Sequence, residues 1–541
     1  MIRFSRLLIR RSHTVPPAMP SLAPLLRQLA LGRGRGFLLL QTCRAPAIQC
    51  RTIAGAAAGA ADADKRLKTF KDLPGPPLLY NIYLVFLRAY LLYAHELQSI
   101  FKKKYGPLWK TTVGKYHIVH VADVDFIEKV LRQEGKYPLR TDMELWKIHR
   151  TMRDLANGPF TEEGHKWFRL RSVLNKRLLR PQEAVLYTAS VNEVVTDFLV
   201  RLEEMRKESP SGIMVYDLPN ALYRFALEGI SYILFEARIG CLKTQIPAET
   251  LKFIDSVSNM MKYNILVEIL PNWTKKVLPF FNSYLEHWDK IFSFGKNLVD
   301  KKMQLIQDRL DHGQEVKGEY LTFLLSGGEL TVKEIYASVA ELLMAGVDTT
   351  SNTLCWALYH LAKNPEIQDE LYKEVTEVAP GETIPTGDDF PKMPLLKAVI
   401  KEILRMYPVV PVNSRFVMEN DLTLGDYYFP KETLFALAHY CVAREEANFP
   451  EPEKFNPYRW FREERVKNNP FSSIPFGYGV RACVGRRIAE LEMHLALSRI
   501  MQKYEVKPDP RGGKVGSMAR MVLAPNKPIN LQFLNRKPLP P

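Results

Sequence analysis

The segment 476–487, FGYGVRACVGRR, places a single cysteine, Cys483, among glycines and arginines. Apolar residues at helical spacing follow, so the thiol stands near a helix start, where the positive end of the helix dipole favours the thiolate. Thiolate is the form that binds metals, and glycines let the backbone approach a flat or bulky group. Cys483 is therefore a candidate metal ligand; a small buried core residue is the alternative that the cysteine alone leaves open.

A second polar group lies in AGVDTTSNTL (345–354), inside a helix expected from about residue 331 to 363. Gly346 is a poor helix former, and Asp348 and Thr349 open a run of acid, hydroxyl and amide side chains. We expect this stretch to weaken the helical hydrogen bonds locally and to leave polar groups free. The alternative is a mid-helix threonine cluster that bonds its own backbone.

A third group, in KAVIKEILRMYPVVP, pairs Glu402 with Arg405 on one helix face before Pro408. Exposed pairs of this kind are common and contribute well under about 1 kcal/mol, so the pair alone is weak evidence for a site.

The elements that position these groups are mostly helical. Long segments with helical spacing of apolar residues dominate up to about residue 375, and β-like segments are short and few, as in HIVHVA, LTLGDYYFP and INLQFL. The composition, 46% hydrophobic and 25% charged, is that of a folded protein with an ample core. We predict a mainly α fold with small β-sheets.

Five positions around the cysteine form the pattern F-x-x-G-x-R-x-C-x-G: Phe476, Gly479, Arg481, Cys483 and Gly485. With this pattern the chain resembles the cytochrome P-450 superfamily. The resemblance implies the cytochrome P-450 fold, a haem b with the Cys483 thiolate as axial iron ligand, and a monooxygenase activity.

The same resemblance assigns roles to other residues. Asp348 and Thr349 match the acid and alcohol that relay protons to iron-bound dioxygen. Glu402 and Arg405 match two members of a buried structural triad, and a third arginine in FNPYRW, Arg459, fits its last position. The residues that match the family's haem-propionate positions are Trp167 and Arg171 in HKWFRLR, Arg415 in VNSRF, and Arg481.

The N-terminal segment accounts for much of the formal net charge of +16. Residues 1–61 contain nine arginines and no Lys, Asp or Glu, and without them 66 basic residues face 59 acidic ones. This Arg-rich, Leu- and Ala-rich composition is typical of a mitochondrial transit peptide, so we expect no nucleic-acid partner. A Pro/Gly linker at 62–77, the catalytic domain at 78–535 and a tail at 536–541 would follow. Four widely spaced cysteines remain, which indicates neither a disulfide framework nor a Cys-based zinc site.

Two segments have the character of membrane-surface helices. The apolar run 78–97 is interrupted by Asn81, Arg88 and His95, which favours an amphipathic helix on a core or a membrane surface over a span. The segment 265–281 combines apolar residues with Trp273 and two lysines, and it fits a membrane interface or a buried helix pair. We expect peripheral contact with the matrix side of the mitochondrial inner membrane.

Electrons must come from another protein, because no flavin or nicotinamide domain is recognisable after residue 78. Lys397 and Lys401 lie four apart on one helix, and Arg486 and Arg487 follow the cysteine. A solvated basic face is the usual meaning of such residues. PLLKAVIKE and CVGRR also resemble the mitochondrial branch of the family, which implies docking of an acidic 2Fe-2S ferredoxin supplied by NADPH through ferredoxin reductase.

Several segments resemble the sterol-hydroxylating members of that branch, among them RQEGKYPLRTDMELWKIHR, LFEARIGCL and IPFGYGVRAC. The resemblance implies hydroxylation of the terminal side-chain methyl (C26/C27) of cholesterol and bile-acid intermediates, and of vitamin D3 at C25. The alternatives are a vitamin D 1-hydroxylase or a retinol desaturase of the same branch, and a haem-binding or sterol-binding protein without catalysis.

Overall fold

The computed structural model describes residues 67–84, 88, 90, 92–113, 116–270, 273–316, 318–461 and 469–536. The predicted transit peptide and all but the first residue of the predicted tail lie outside this set. Every helix and strand given below belongs to the compact unit that begins at Thr69.

Helices make up most of the described chain, and the prediction of a mainly α fold is confirmed. They are α1 (Leu78–Ile82), α2 (Ala94–Tyr105), α3 (Val124–Arg132), α4 (Glu144–Met152), α5 (Gly164–Leu178), α6 (Pro181–Val185), α7 (Thr188–Lys207), α8 (Leu218–Phe235), α9 (Ala248–Ile269), α10 (Thr274–Val277), α11 (Phe280–Asp311), α12 (Tyr320–Ser326), α13 (Val332–Lys363), α14 (Pro365–Val378), α15 (Pro394–Met406), α16 (His439–Val442) and α17 (Arg486–Lys503).

The strands form small sheets. They are β1 (Leu108–Val113), β2 (Tyr116–Val121), β3 (Met214–Val215), β4 (Asn413–Val417), β5 (Leu422–Leu424), β6 (Tyr427–Phe429), β7 (Thr433–Leu437), β8 (Tyr504–Pro508), β9 (Ser517–Ala519), β10 (Leu523–Pro525) and β11 (Leu531–Asn535). One sheet has the order β1-β2-β7-β4, in which only β2 and β7 are parallel, and a second has the order β3-β11-β8. Strands β5 and β6, and β9 and β10, form hairpins.

The long helix α13 begins with a reciprocal cap. The backbone N–H of Glu334 donates to the Thr331 hydroxyl over 3.3 Å, and the Glu334 carboxylate accepts from the Thr331 backbone N–H over 2.9 Å. These bonds satisfy donors that a helix start otherwise leaves unpaired. The sequence predicted this helix from about residue 331 to 363, and the structure agrees.

Close packing fixes α13 against α8. A Cβ atom at Gly346 would lie 2.7 Å from Cγ1 of Ile230, a distance that real side chains do not adopt. The glycine that weakens the helix therefore also lets α8 approach it. Both helices contribute to the main hydrophobic cluster, and a smaller cluster packs on the four-stranded sheet. Leu73, within the predicted linker, is buried in that smaller cluster.

Candidate functional site

A tight loop presents Cys483 just before α17. Gly477 and Gly479 have φ values of +73° and +72°, which only glycine adopts readily, and the Cys483 N–H donates to the Phe476 carbonyl over 2.8 Å. A Cβ atom at Gly479 would stand 1.6 Å from Oε1 of Glu134. The glycine pattern thus shapes the loop and makes room for a neighbouring carboxylate.

Solvent can reach the Cys483 side chain, but protein atoms surround it closely enough to desolvate the thiol. The side chain therefore faces a recess. Burial raises the pKa of its thiol, while the Gly485 N–H and the charges of Arg171 and Arg486 lower it. The helix start and the nearby cations therefore lower the thiol pKa, as expected. Desolvation of the thiolate raises it by more in the protein alone. Among the described residues, no group of three or more His, Cys, Asp or Glu side chains could hold a metal ion.

The predicted propionate residues converge beside the cysteine loop. Arg171 donates through Nε to Asn175 over 2.6 Å and through Nη2 to the Ala482 carbonyl, next to the cysteine. Arg415 donates to Glu134 over 2.7 Å. Arg481 donates to the carbonyls of Pro138 and Glu162 over 3.1 and 3.3 Å. Elements distant in sequence therefore bring these guanidinium groups to one site.

Arg140 is a further member of this cluster that sequence reasoning missed. It lines a cavity together with Phe160, Ser414 and Arg481, and within the described part of the chain it makes no hydrogen bond or ion pair. Burial, together with the charges of Arg415 and Arg171, lowers its pKa to about 10, although the charges of Glu163 and Glu341 oppose the shift. No spacing pattern marks this arginine in the sequence, because the chain fold alone brings it to the others.

The cluster has more positive charge than its carboxylates offset. Burial, together with the charges of Arg140 and Arg415, lowers the pKa of Arg481 to about 8, and burial lowers that of Arg171 to about 10. Buried cations with too few partners destabilise one another. A bound dianion would relieve this repulsion, and the two propionates of a haem have that charge.

Trp167 supplies a second observation that fits a haem. Its side chain is fully buried, and its Nε1–H has no hydrogen-bond partner among the described residues. Buried indole N–H groups usually have an acceptor. The Arg481 guanidinium stacks on the Trp167 ring, so the unpaired donor and the unpaired charge lie side by side. The residues present therefore fit a haem whose propionates point toward them.

Asp348 and Thr349 lie on α13, which continues through them without a break. Burial raises the pKa of Asp348 to about 6, an effect that Arg520 partly opposes. The Thr349 hydroxyl donates to the Ala345 carbonyl over 2.8 Å. The expectation that this stretch leaves its hydroxyls free is wrong for Thr349, because a bond to the i−4 carbonyl satisfies the group inside an intact helix.

Glu402, Arg405 and Arg459 form a buried network between α15 and the segment that follows α16. The Glu402 carboxylate accepts from Arg405 through two bonds of 2.9 and 2.8 Å and from Arg459 over 3.1 Å. It also accepts from Nε1 of Trp460 over 2.9 Å, a partner that the sequence did not indicate. All the contacts stabilise the packing of α15 against the segment that follows α16.

The predicted docking residues are on the surface. Lys397 and Lys401 are exposed on α15, and the Lys401 ammonium lies 5.5 Å from the centre of the Trp460 ring. Arg486 and Arg487 both pair with Glu490, over 2.9 and 3.0 Å. Glu490 therefore offsets part of the positive charge of these two arginines.

This mainly helical fold, with one cysteine beside a buried arginine cluster, is the arrangement expected of a haem-thiolate protein. The sequence model described as Cytochrome P450 matches residues 73–533, and the chain belongs to the cytochrome P450 family. It is a cytochrome P450 monooxygenase.

Several characterised relatives are similar over nearly their whole length. Sterol 26-hydroxylase, mitochondrial, of Rattus norvegicus is 51% identical over 480 residues, covering 87% of this chain and 90% of the relative. The Homo sapiens protein of that name is 48% identical over 524 residues, covering 95% and 98%. The 25-hydroxyvitamin D-1 alpha hydroxylase, mitochondrial, of Homo sapiens is 41% identical over 490 residues, covering 89% and 96%.

Among solved structures, the heme domain of cytochrome P450DA superposes with a TM-score of 0.72 at 22% identity, covering 86% of this chain and 98% of the other. At that identity the likeness concerns the fold alone.

Proposed function

We propose that this chain is a mitochondrial sterol hydroxylase that oxidises the terminal side-chain methyl (C26/C27) of cholesterol and bile-acid intermediates, and vitamin D3 at C25. The observation that carries the proposal is the sequence identity of this chain to mitochondrial sterol 26-hydroxylases, 51% and 48% over 87% and 95% of its length. The vitamin D hydroxylase relative, at 41%, is more distant, which supports the sterol side chain as the first choice.

In this proposal Cys483 would bind the haem iron, and Trp167, Arg171, Arg415 and Arg481 would hold its propionates, with Arg140 as an additional cation. A haem with a thiolate ligand supplies the activation of dioxygen. The protein's part is to hold the thiolate at the start of α17 and to neutralise the propionates. The Gly485 N–H and Arg171, which lower the pKa of Cys483, support the ligand role.

Asp348 holds and releases the protons that the reaction consumes, and the Thr349 hydroxyl relays them. A carboxyl group with a pKa near 6 changes protonation state close to neutral pH, which suits a proton relay. While it donates to the Ala345 carbonyl, the Thr349 hydroxyl can accept a hydrogen bond from water, but to donate onward it must exchange the carbonyl for water or substrate. That exchange costs little, because the carbonyl keeps its place in the helix.

The redox partner is an acidic 2Fe-2S ferredoxin, reduced by NADPH through its reductase, that docks on Lys397, Lys401, Arg486 and Arg487. Charge steering makes such contacts sensitive to salt. The Lys397→Glu variant should raise the KM for ferredoxin roughly tenfold at low ionic strength and flatten its salt dependence. Lys252→Glu, an exposed lysine on α9, is the control and should change neither. Equal effects of both variants would contradict the docking assignment.

Peripheral contact with the matrix side of the inner membrane is part of the proposal. Described residues of α1 and of the α9–α11 connection expose large apolar side chains, with Leu79 80%, Trp273 59% and Val277 71% accessible. No helix in the described ranges has the length and apolar character of a membrane span. Val277→Asp should weaken co-flotation with vesicles of neutral and anionic phospholipids, whereas Val200→Asp, an exposed valine on α7, should not.

Product analysis tests the substrate. The protein, reconstituted with ferredoxin, reductase and NADPH, is given cholesterol, vitamin D3 or retinol, and the products are identified by mass spectrometry. Hydroxylation of the cholesterol side-chain terminus is the expected result. Turnover of retinol, or of 25-hydroxyvitamin D3 at carbon 1, with cholesterol left unchanged would overturn the proposal in favour of those alternatives.

A further inference from the structure

A buried carboxylate, that of Glu134, holds the guanidinium group of Arg415 from one side. Arg415 is 2% exposed, and its Nε–H donates to Oε2 of Glu134 over 2.7 Å. Its Nη1 donates to the Ser414 carbonyl over 2.9 Å, and its Nη2 has no hydrogen-bond partner among the described residues. The donors of a guanidinium group lie in one rigid plane, so two bonds determine where the third nitrogen points. Nη2 is therefore the free end of a fixed group.

The same carboxylate lies against the cysteine loop. Glu134 follows α3 by two residues and is 7% exposed, and its backbone N–H donates to the Leu131 carbonyl over 3.4 Å. A Cβ atom at Gly479 would stand 1.6 Å from Oε1 of Glu134, so only a glycine leaves room for the carboxylate at this point. One carboxylate oxygen thus contacts Arg415, and the other faces the loop that carries Cys483.

The backbone beside Arg415 brings a second arginine next to it. Leu139 forms an antiparallel bridge with Phe416. The next position in this register places Arg140 opposite Arg415, where two like charges repel one another. Of the described carboxylates, only that of Glu134 forms an ion pair with Arg415. Glu134 therefore offsets one positive charge at the point where two arginines meet.

A carboxylate in this place has two consequences for a haem bound beside the arginine cluster. It fixes the direction in which Arg415 can donate to a propionate, because the bond to Nε prevents rotation of the guanidinium group. Its charge also acts on the iron, since buried charges are weakly screened and interact over about 10 Å. A nearby negative charge favours ferric over ferrous iron, and uncompensated arginines do the reverse.

We propose that Glu134 is a positioning residue of the haem site, which holds Nη2 of Arg415 toward a propionate and, by its negative charge, lowers the reduction potential of the haem iron. The inference rests on the proposed role of Arg415 at the propionates. Loss of the carboxylate frees Arg415 to rotate, which weakens retention of the haem. Loss of its charge raises the reduction potential, and neither effect requires a change at Cys483.

Two variants separate the position of the Glu134 carboxylate from its charge in the haem-loaded, full-length protein. Glu134→Gln keeps the size and removes the charge. Glu134→Asp keeps the charge but withdraws the carboxylate by one methylene, about 1.5 Å, which breaks its bond to Arg415. Glu228→Gln is the matched control, because Glu228 on α8 is also fully buried and accepts from Nε of Arg238 over 2.7 Å. None of the described hydrogen bonds of Glu228 reaches the arginine cluster.

The first readout is the rate of haem transfer to apomyoglobin, at a temperature where circular dichroism shows every variant folded. This rate should rise roughly threefold to tenfold in both Glu134 variants and stay within about twofold of the parent protein in Glu228→Gln.

The second readout is the reduction potential, from a spectroelectrochemical titration without substrate. At a fixed electrode potential, the ratio of ferrous to ferric haem should rise roughly threefold to tenfold in Glu134→Gln. It should change less than about twofold in Glu134→Asp, which keeps the charge, and in Glu228→Gln. An ion pair that only stabilises the fold would not produce this difference between the two Glu134 variants.

An unchanged reduction potential in Glu134→Gln would overturn the proposal, and so would haem release at the parent rate in both Glu134 variants. If Glu134→Gln binds no haem, the release rate of Glu134→Asp decides: the parent rate overturns the proposal, and a faster rate supports it. Arg415→Leu tests the assumption beneath it. If Arg415→Leu releases haem at the parent rate, the proposed propionate role of Arg415 fails. If only Arg415→Leu releases haem faster, Arg415 holds the propionate without Glu134, and the inference about Glu134 fails alone.

Discussion

The guanidinium carbon of Arg481 lies 3.6 Å from the centre of the Trp167 ring. This contact joins α5 to the cysteine loop, and it leaves the indole Nε1–H free to donate to a propionate. Trp167→Phe keeps the ring face and removes the donor, so haem release should accelerate roughly twofold to tenfold. Trp167→Leu removes both and should release haem faster still.

Transfer of haem to apomyoglobin measures these rates. Trp109→Phe is the control, because Trp109 is equally buried and also has an unpaired Nε1–H, but lies in β1. Haem release that is the same in all three variants would show that Trp167 does not contact the haem.

Glu402 is central to the buried network between α15 and the segment that follows α16. Glu402→Gln leaves Arg405 and Arg459 without their buried carboxylate, and the free energy of unfolding should fall by about 3–5 kcal/mol. Glu451→Gln, which breaks only an exposed pair with Lys454, should cost less than about 0.5 kcal/mol. Urea denaturation of both variants gives the comparison, and equal losses would contradict it.

Asp348 makes the stability depend on pH. Its pKa is about 6 in the folded protein and near the ordinary value of 3.8 in the unfolded chain, so the stabilisation by its protonated form is complete below pH 4 and is lost as pH rises through 6. The asparagine of Asp348→Asn does not ionise. The unfolding free energy of the variant relative to the parent should therefore increase from pH 4 to pH 7, as measured by urea denaturation. A constant difference across this range would contradict the raised pKa.

Two glycines of the cysteine loop should respond differently to alanine. At Gly479, with φ of +72°, a Cβ atom would meet Glu134 at 1.6 Å, whereas at Gly485 none of the described atoms outside its chain neighbours lies within 4 Å. Gly479→Ala should therefore lower both Tm and the haem content, and Gly485→Ala should leave them almost unchanged. The opposite order of effects would mean that Gly485, not Gly479, makes room for the neighbouring groups.

The sequence carried enough information to predict a mainly helical fold and the local motifs, because apolar spacing, prolines and glycines act over a few residues. It predicted α13 almost to its ends and the strands β2 and β11. It did not indicate short strands such as β3 or β9, which owe their existence to pairing with distant segments.

At the site, too, local patterns were predictable from the sequence and contacts between distant segments were not. Cys483 and its glycines form a local pattern, whereas Arg140 and Glu134 acquire their roles only when the fold brings them beside Arg415. The pKa of Cys483 also depends on burial, which its position at a helix start does not reveal. Tertiary proximity and desolvation are the two quantities that the sequence pattern leaves open.

The central claim is that the thiolate of Cys483 binds the haem iron. The absorption spectrum of the reduced, carbon monoxide-bound protein tests it most directly, with Cys483→Ser as the test variant and Cys441→Ser, a buried cysteine elsewhere, as the control. The parent protein and Cys441→Ser should show the red-shifted Soret band of thiolate-bound haem, and Cys483→Ser should lack it. A thiolate-type band that persists in Cys483→Ser, or is absent from the parent protein with haem bound, would contradict the account.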